Sequence, residues 1–150
     1  MINKTLIFFS ILFHLISFNL YGNEQLSFDV TEIEILDGGD RIIGKNRGVI
    51  KSNDGIVIEA DEFEFNKIKN ILQAKGNILI EDQINKYNFS AKNIKYFINE
   101  DRIELKGKAE ASIDTNYKFS SQNIIILRND MVISSDAVSY THLRAHETIA

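Results

Sequence analysis

The chain has 150 residues, 44% of them apolar and 25% charged, with a net charge of −4. That balance allows one domain with its own core and excludes a chain that is disordered or membrane-embedded throughout. The acidic balance and the lack of any basic run argue against a nucleic-acid partner. The absence of cysteine removes any disulfide framework.

Residues 1–22 read as a signal peptide. Met1-Ile2-Asn3-Lys4 is a short cationic start, Leu6 to Leu20 is apolar, and Gly22 offers a small residue at a cleavage position. An uncleaved anchor helix is the rival reading. The apolar stretch is shorter than the roughly 20 residues a span needs, and Ser10, His14, Ser17 and Asn19 interrupt it.

From Phe28 onward an eight-residue pattern recurs about every 30 residues. Its first copy has Phe28 and Val30, then Ile33 and Ile35. The second has Ile58 and Ala60, then Phe63 and Phe65. The third has Phe89 and Ala91, then Ile94 and Tyr96, and the fourth Phe119 and Ser121, then Ile124 and Ile126. A fifth candidate has Ile133 and Ser135, then Val138 and Tyr140. Within each half the period is 2, the mark of a strand with one buried face. The skip at Thr31-Glu32, Asp61-Glu62, Lys92-Asn93 and Gln122-Asn123 shifts parity by one. A bulge or corner there keeps the apolar face inward on both sides, where an uncorrected slip would turn Phe63 and Phe65 to solvent.

Second strands lie between the octads. Leu72, Ala74, Gly76, Ile78 and Ile80 share one face, and so do Ile103, Leu105, Gly107, Ala109, Ala111 and Ile113. Gly44, Asn46, Gly48 and Ile50 form a weaker earlier version. The recurrence of Gly48, Gly76 and Gly107 inside strands predicts a structural requirement of the repeat. Asp37-Gly38-Gly39-Asp40, Asn53-Asp54-Gly55, Asn66-Lys67-Ile68-Lys69-Asn70 and Asn99-Glu100-Asp101 read as turns. The predicted fold is all-β, a repetitive antiparallel jellyroll of stacked strands with open edges. A parallel β-helix is the rival at this repeat length.

Catalytic chemistry is not legible here. His14, His142 and His146 all lie outside the repeats, which removes Ser-His and Cys-His nucleophiles and the usual zinc sets from the domain. Asp61-Glu62 and Glu81-Asp82 are carboxylate pairs, but neighbours on a strand point to opposite faces, and acidic turns keep sheet edges soluble. No dense Asp-x-Asp array suggests calcium. The expectation is a protein that is not an enzyme and takes no cofactor or metal. The apolar face either fills a sealed core or lines an elongated groove, and periodicity does not separate the two.

The unit from Ile58 to Asp82, with its Ala60-Asp61 step, Phe63/Phe65 pair and Ala74-x-Gly76-Asn77-Ile78 segment, resembles the OstA-like domains of bacterial lipopolysaccharide transport. The resemblance covers roughly residues 28–137 and is greatest to the N-terminal periplasmic domain of LptD, otherwise to LptA or LptC. It implies a jellyroll whose apolar groove shields lipid A acyl chains. On this sequence the groove residues it implies are Ile58, Phe63, Phe65, Ile78, Ile80, Phe89, Ile94, Tyr96, Leu105, Phe119 and Ile124. It also implies joining to LptA-like and LptC-like domains through edge strands. For an LptD it further implies an outer-membrane barrel and an LptE-like lipoprotein. The location implied is the periplasm or outer membrane of a Gram-negative bacterium. A β-repeat protein with a structural or adhesive role, binding no lipid, is the alternative function.

The domain is expected to span 23–137 as a truncated fragment. From Val138 the repeat gives way to a string ending Thr-His-Leu-Arg-Ala-His-Glu-Thr-Ile-Ala, and 138–150 reads as a non-native tail resembling sequencing-adapter translation.

Overall fold

The structure is a computed structural model that describes residues 26–113, 117–136 and 139–142. The signal peptide expected at 1–22 and most of the tail expected at 138–150 lie outside the described residues.

The described chain is built from strands and tight turns. They are β1 (Leu26–Leu36), β2 (Arg41–Ser52), β3 (Ile56–Ala60), β4 (Glu62–Asn66), β5 (Ile71–Asp82), β6 (Tyr87–Phe97), β7 (Arg102–Ile113), β8 (Tyr117–Leu127), β9 (Val132–Ser135) and β10 (Ser139–His142). Every pairing among the described residues is antiparallel, which removes the β-helix reading. The order is β1-β2-β3-β5-β6-β7-β8-β10, with β4 between β2 and β5 and β9 on β8. The four polar segments expected to be turns connect successive strands, two of them containing a short 3-10 turn, at Asp37–Gly39 and Ile98–Glu100.

Each long strand bends once near its middle, where the sequence shifts parity. Register shifts fall between Val30 and Glu32, between Ser90 and Asn93, and opposite Gln122, while Asp61 separates β3 from β4. Facing the single residue at each skip, β2, β5 and β7 carry two residues in the left-handed region: Asn46-Arg47, Gly76-Asn77 and Gly107-Lys108. One residue opposing two is a bulge, and bulges stacked strand upon strand make a continuous corner. The corner divides the sheet into two half-sheets. One comprises 26–30, 48–52, 56–60, 78–82, 87–91, 109–113, 117–121 and 139–142, and the other 32–36, 41–45, 62–66, 71–75, 93–97, 102–106, 123–127 and 132–135.

The corner is fastened on its polar side. Asp61 accepts hydrogen bonds from Asn77 Nδ2 (2.8 Å) and Arg47 Nη1 (3.0 Å), and Arg47 also reaches Glu59. The same short amide-to-carboxylate bond recurs at each end of the column, from Asn46 to Glu32 and from Asn123 to Asp136, both 2.8 Å. These contacts are exposed and screened by water and salt, so they align the corner more than they stabilise it.

Gly76 shows why small residues recur there. Its φ is +76°, and a Cβ would stand 2.4 Å from Asp61 Oδ2. Gly76→Ala is expected to lower stability by about 1–3 kcal/mol, from backbone strain together with displacement of Asp61. Urea titration checks this, and an unchanged midpoint would remove the corner requirement.

The parity shift has the consequence expected of it. Ile58 and Ala60 are buried before the skip, and Phe63 and Phe65 after it; Phe89, Ala91, Ile94 and Tyr96 repeat the pattern, as do Ser121, Ile124 and Ile126. One apolar cluster therefore runs through both half-sheets.

Candidate functional site

The candidate site is the inner face of the roll. Ten of the eleven residues assigned to a groove (Ile58, Phe63, Phe65, Ile78, Ile80, Phe89, Ile94, Tyr96, Leu105 and Ile124) belong to the buried cluster, and Phe119 packs against it half-buried. Cross-strand register brings them into rows: Ile58 pairs with Ile80, Ile80 with Phe89, and Tyr96 with Leu72 and Ile103. Exposure within the set runs from 0% at Leu105 to 8% at Phe65, Phe119 excepted, so these side chains touch one another and not water. A depression of about 320 Å³ lies on the outer face instead, around Leu79, Ser90, Glu110 and Lys118, with Phe89 and Phe119 at its floor.

One end of the inner face is uncovered. Ile33 is 50% exposed and Ile35 63%, although both have inward parity: they pair with Gly44 and Ile42, which in turn face the buried Phe63 and Phe65. Phe28, Val30 and Ile42 pack against the core only in part. The first octad thus continues the apolar face beyond the point where the opposite half-sheet covers it. Along β1 the backbone edge has no strand partner among the described residues.

The opposite side of the roll, facing the corner, is a seam where the far rims of the two half-sheets meet. Arg128, just after β8, is 7% exposed and reaches three turns. Its Nε donates to Asp82 Oδ2 at 2.9 Å, and its Nη1 to Asp54 Oδ2 and Asp101 Oδ1, both at 2.5 Å. Its Nη2 donates to the Asp54 carbonyl at 3.0 Å. The Tyr96 hydroxyl sits 3.0 Å from Asp54 Oδ2 and 3.3 Å from Asp101 Oδ1. Asp82, at 1% exposure, also accepts from the backbone N–H groups of Ile84 and Asn85 and from the Asn85 amide. Asp54 and Asp82 end one half-sheet, whereas Tyr96, Asp101 and Arg128 end the other, so this cluster clasps the two together. Its reach from β8 back to the β2–β3 turn shows that the half-sheets cross, as sheet twist requires.

Burial pushes the carboxyls of Asp54 and Asp82 up, but hydrogen bonds and the Arg128 charge outweigh it. Both are held below the usual carboxylate range, Asp54 with help from Ser52 and Asp82 with help from Asn85. Burial, reinforced by the charge of Asp54, pushes the Tyr96 phenol up, which keeps it a neutral donor. Burial opposes the charge on Arg128, and the three carboxylates more than restore it.

Sequence reasoning did not find this clasp. Asp54 and Asp101 sit in turns that read as solvated. Asp82 reads as an acidic strand end beside Glu81, and Arg128 precedes an ordinary polar turn. The rule that strand neighbours face opposite ways does hold, since Glu81 is exposed and Asp82 is buried. The available signal was that Asp82 has the inward parity of Ile78 and Ile80, an ionisable group on the apolar face.

The fold so described is an antiparallel β-jellyroll of bent strands. No family model matches the sequence, and no curated protein does. Among solved structures the chain is similar to the crystal structure of LptH, the LptA-homologous periplasmic component of the lipopolysaccharide transport device from Pseudomonas aeruginosa. The TM-score is 0.70 at 12% identity, covering 77% of this chain and 93% of that chain.

Proposed function

We propose that this chain is a periplasmic module of lipopolysaccharide transport, of the OstA-like kind, that shields lipid acyl chains on the inner face of its roll and performs no catalysis. The observation that carries this reading is a continuous apolar face over two crossed half-sheets, within a fold similar to that of a transport component. Uncovered Ile33 and Ile35 beside the β1 edge, unpaired among the described residues, support a contact at that end with another OstA-like domain, LptA-like or LptC-like, through strand addition. The likeness of the repeat to the N-terminal domain of LptD extends the proposal to an outer-membrane barrel and an LptE-like lipoprotein as partners. The eleven inner-face residues are proposed as the acyl-chain contacts.

The test is photo-crosslinking from benzoylphenylalanine at Ile35, on the inner face, and at Leu79, on the outer face. Both are apolar and more than half exposed, at 63% and 52%, so hydrophobicity does not separate them. Lipopolysaccharide is expected to label from Ile35 several-fold more than from Leu79, and equal labelling would defeat the groove. A β-repeat protein that binds no lipid is the second reading, favoured by the near-complete burial of the ten cluster residues.

A further inference from the structure

The two long sides of the roll are held in different ways. At the corner, β1, β2, β5, β6, β7 and β8 pass continuously from one half-sheet to the other and Asp61 joins β3 to β4, backed by backbone hydrogen bonds from Arg47 to Asp61 and from Asp61 to Gly76. At the seam, no strand pairing joins the two rims among the described residues. There the rims are bridged by side chains, with Arg128 and Tyr96 on one and Asp54 and Asp82 on the other. We propose that this clasp is a releasable latch: closed, it holds the rims together over a filled interior, and released, it lets the roll part along the seam to admit an acylated ligand.

Three features support a latch over a fixed fastening. First, the cluster is ionic where apolar side chains of similar volume would hold the rims equally well or better. Second, it sets one guanidinium against three carboxylates, an imbalance that water can relieve. Third, it has a wet end, because the Asp54 side chain is 46% exposed while those of Arg128 and Asp82 are 5% and 1%. Water therefore competes first for Asp54, the residue that both Arg128 and Tyr96 hold. Opening the clasp as a unit hydrates all its charges together, whereas deleting one partner leaves others stranded. The hinge is the corner on the far side.

The latch deepens the proposed function and rests on it for the identity of the ligand. It also reconciles acyl-chain shielding with inner residues that are closed to water.

The chain has no cysteine, so thiol labelling is site-specific. Nitroxides at Gln83→Cys and Asn129→Cys, exposed positions on opposite rims, report the seam width by electron spin resonance. The intact clasp is expected to give one short distance that lengthens when lipopolysaccharide is added. Asp54→Ala and Arg128→Lys are expected to show the long distance without lipid, with unchanged far-ultraviolet circular dichroism. They are also expected to take up fluorescent lipopolysaccharide about tenfold faster, a change equivalent to about 1.4 kcal/mol. The latch is overturned if both variants keep the short distance, or if the wild-type protein binds lipid without widening. If the wild-type protein takes up no lipid at all, the transport reading fails, and the lipid-free distances in Asp54→Ala still decide the latch.

Discussion

Arg128→Met is expected to lower the unfolding free energy by about 3 kcal/mol at neutral pH, the low end of the range for breaking a buried ion pair. Methionine matches the stem of arginine, so packing changes little. What is lost is the partner of Asp82, at 1% exposure, and of Asp54 and Asp101. The loss stays at the low end because Asp82 keeps its hydrogen bonds from Ile84 and Asn85, and the Asp54 side chain is 46% exposed. For a domain of this size the midpoint of thermal unfolding is expected to fall by about 13 °C, followed by circular dichroism. A change under 1 kcal/mol would mean that the rims are held by apolar packing alone.

The same variant has a pH signature. In the wild-type protein the carboxyls of Asp54 and Asp82 titrate below their unfolded values. Their contribution is complete above the unfolded carboxylate range, near pH 4, and is lost as pH falls through the lower folded values. Acid therefore weakens the wild-type clasp below about pH 4. Without Arg128, burial dominates and raises those carboxyls, so Arg128→Met is destabilised most at neutral pH and recovers as pH falls. The two stability curves are expected to converge in acid, and parallel curves from pH 7 to pH 3 would exclude charge as the cause.

Phe63→Ala is expected to cost about 3–5 kcal/mol, measured by urea titration. Phe63 is 2% exposed and first in its octad after the corner, between Gly44 on β2 and Ala74 on β5. Its ring fills the volume those small neighbours leave, and a Cβ on Gly44 would stand 3.5 Å from Phe63 Cδ2. Backbone bulges hold the strands there, so the cavity collapses little and the cost lies toward the upper end. Ile35→Ser, on the same face but 63% exposed, is expected to change stability by no more than about 0.5 kcal/mol while weakening the binding of fluorescent lipopolysaccharide. If Phe63→Ala and Ile35→Ser destabilised equally, the uncovered end of the roll would be part of its core.

The strands, turns and inner face were readable along the chain because alternation is a local property of an extended backbone. Side chains two apart share a face whatever the rest of the fold does. The skips at Thr31-Glu32, Asp61-Glu62 and Lys92-Asn93 marked the corner for the same reason, since only a bulge reconciles two runs of opposite parity. Glycine recurrence pointed to Gly76 because few other residues tolerate its φ beside Asp61.

Other features depended on which parts of the chain meet far from their neighbours in sequence. Arg128 reaches an aspartate 74 residues away, and no local pattern distinguishes that arginine from one in a solvated turn. Tyr96 reads as one more apolar ring, yet it is a clasp donor because strand twist carries the end of β6 across to the β2–β3 turn. Ile33 and Ile35 carry the same pattern as Phe63 and Phe65, but twist leaves them without a facing layer. The sequence by itself determined the bent strands, their inward face and the corner. The tertiary structure alone decided that the roll closes at a seam, which charges hold it and which end stays uncovered, because those depend on how two twisted half-sheets cross.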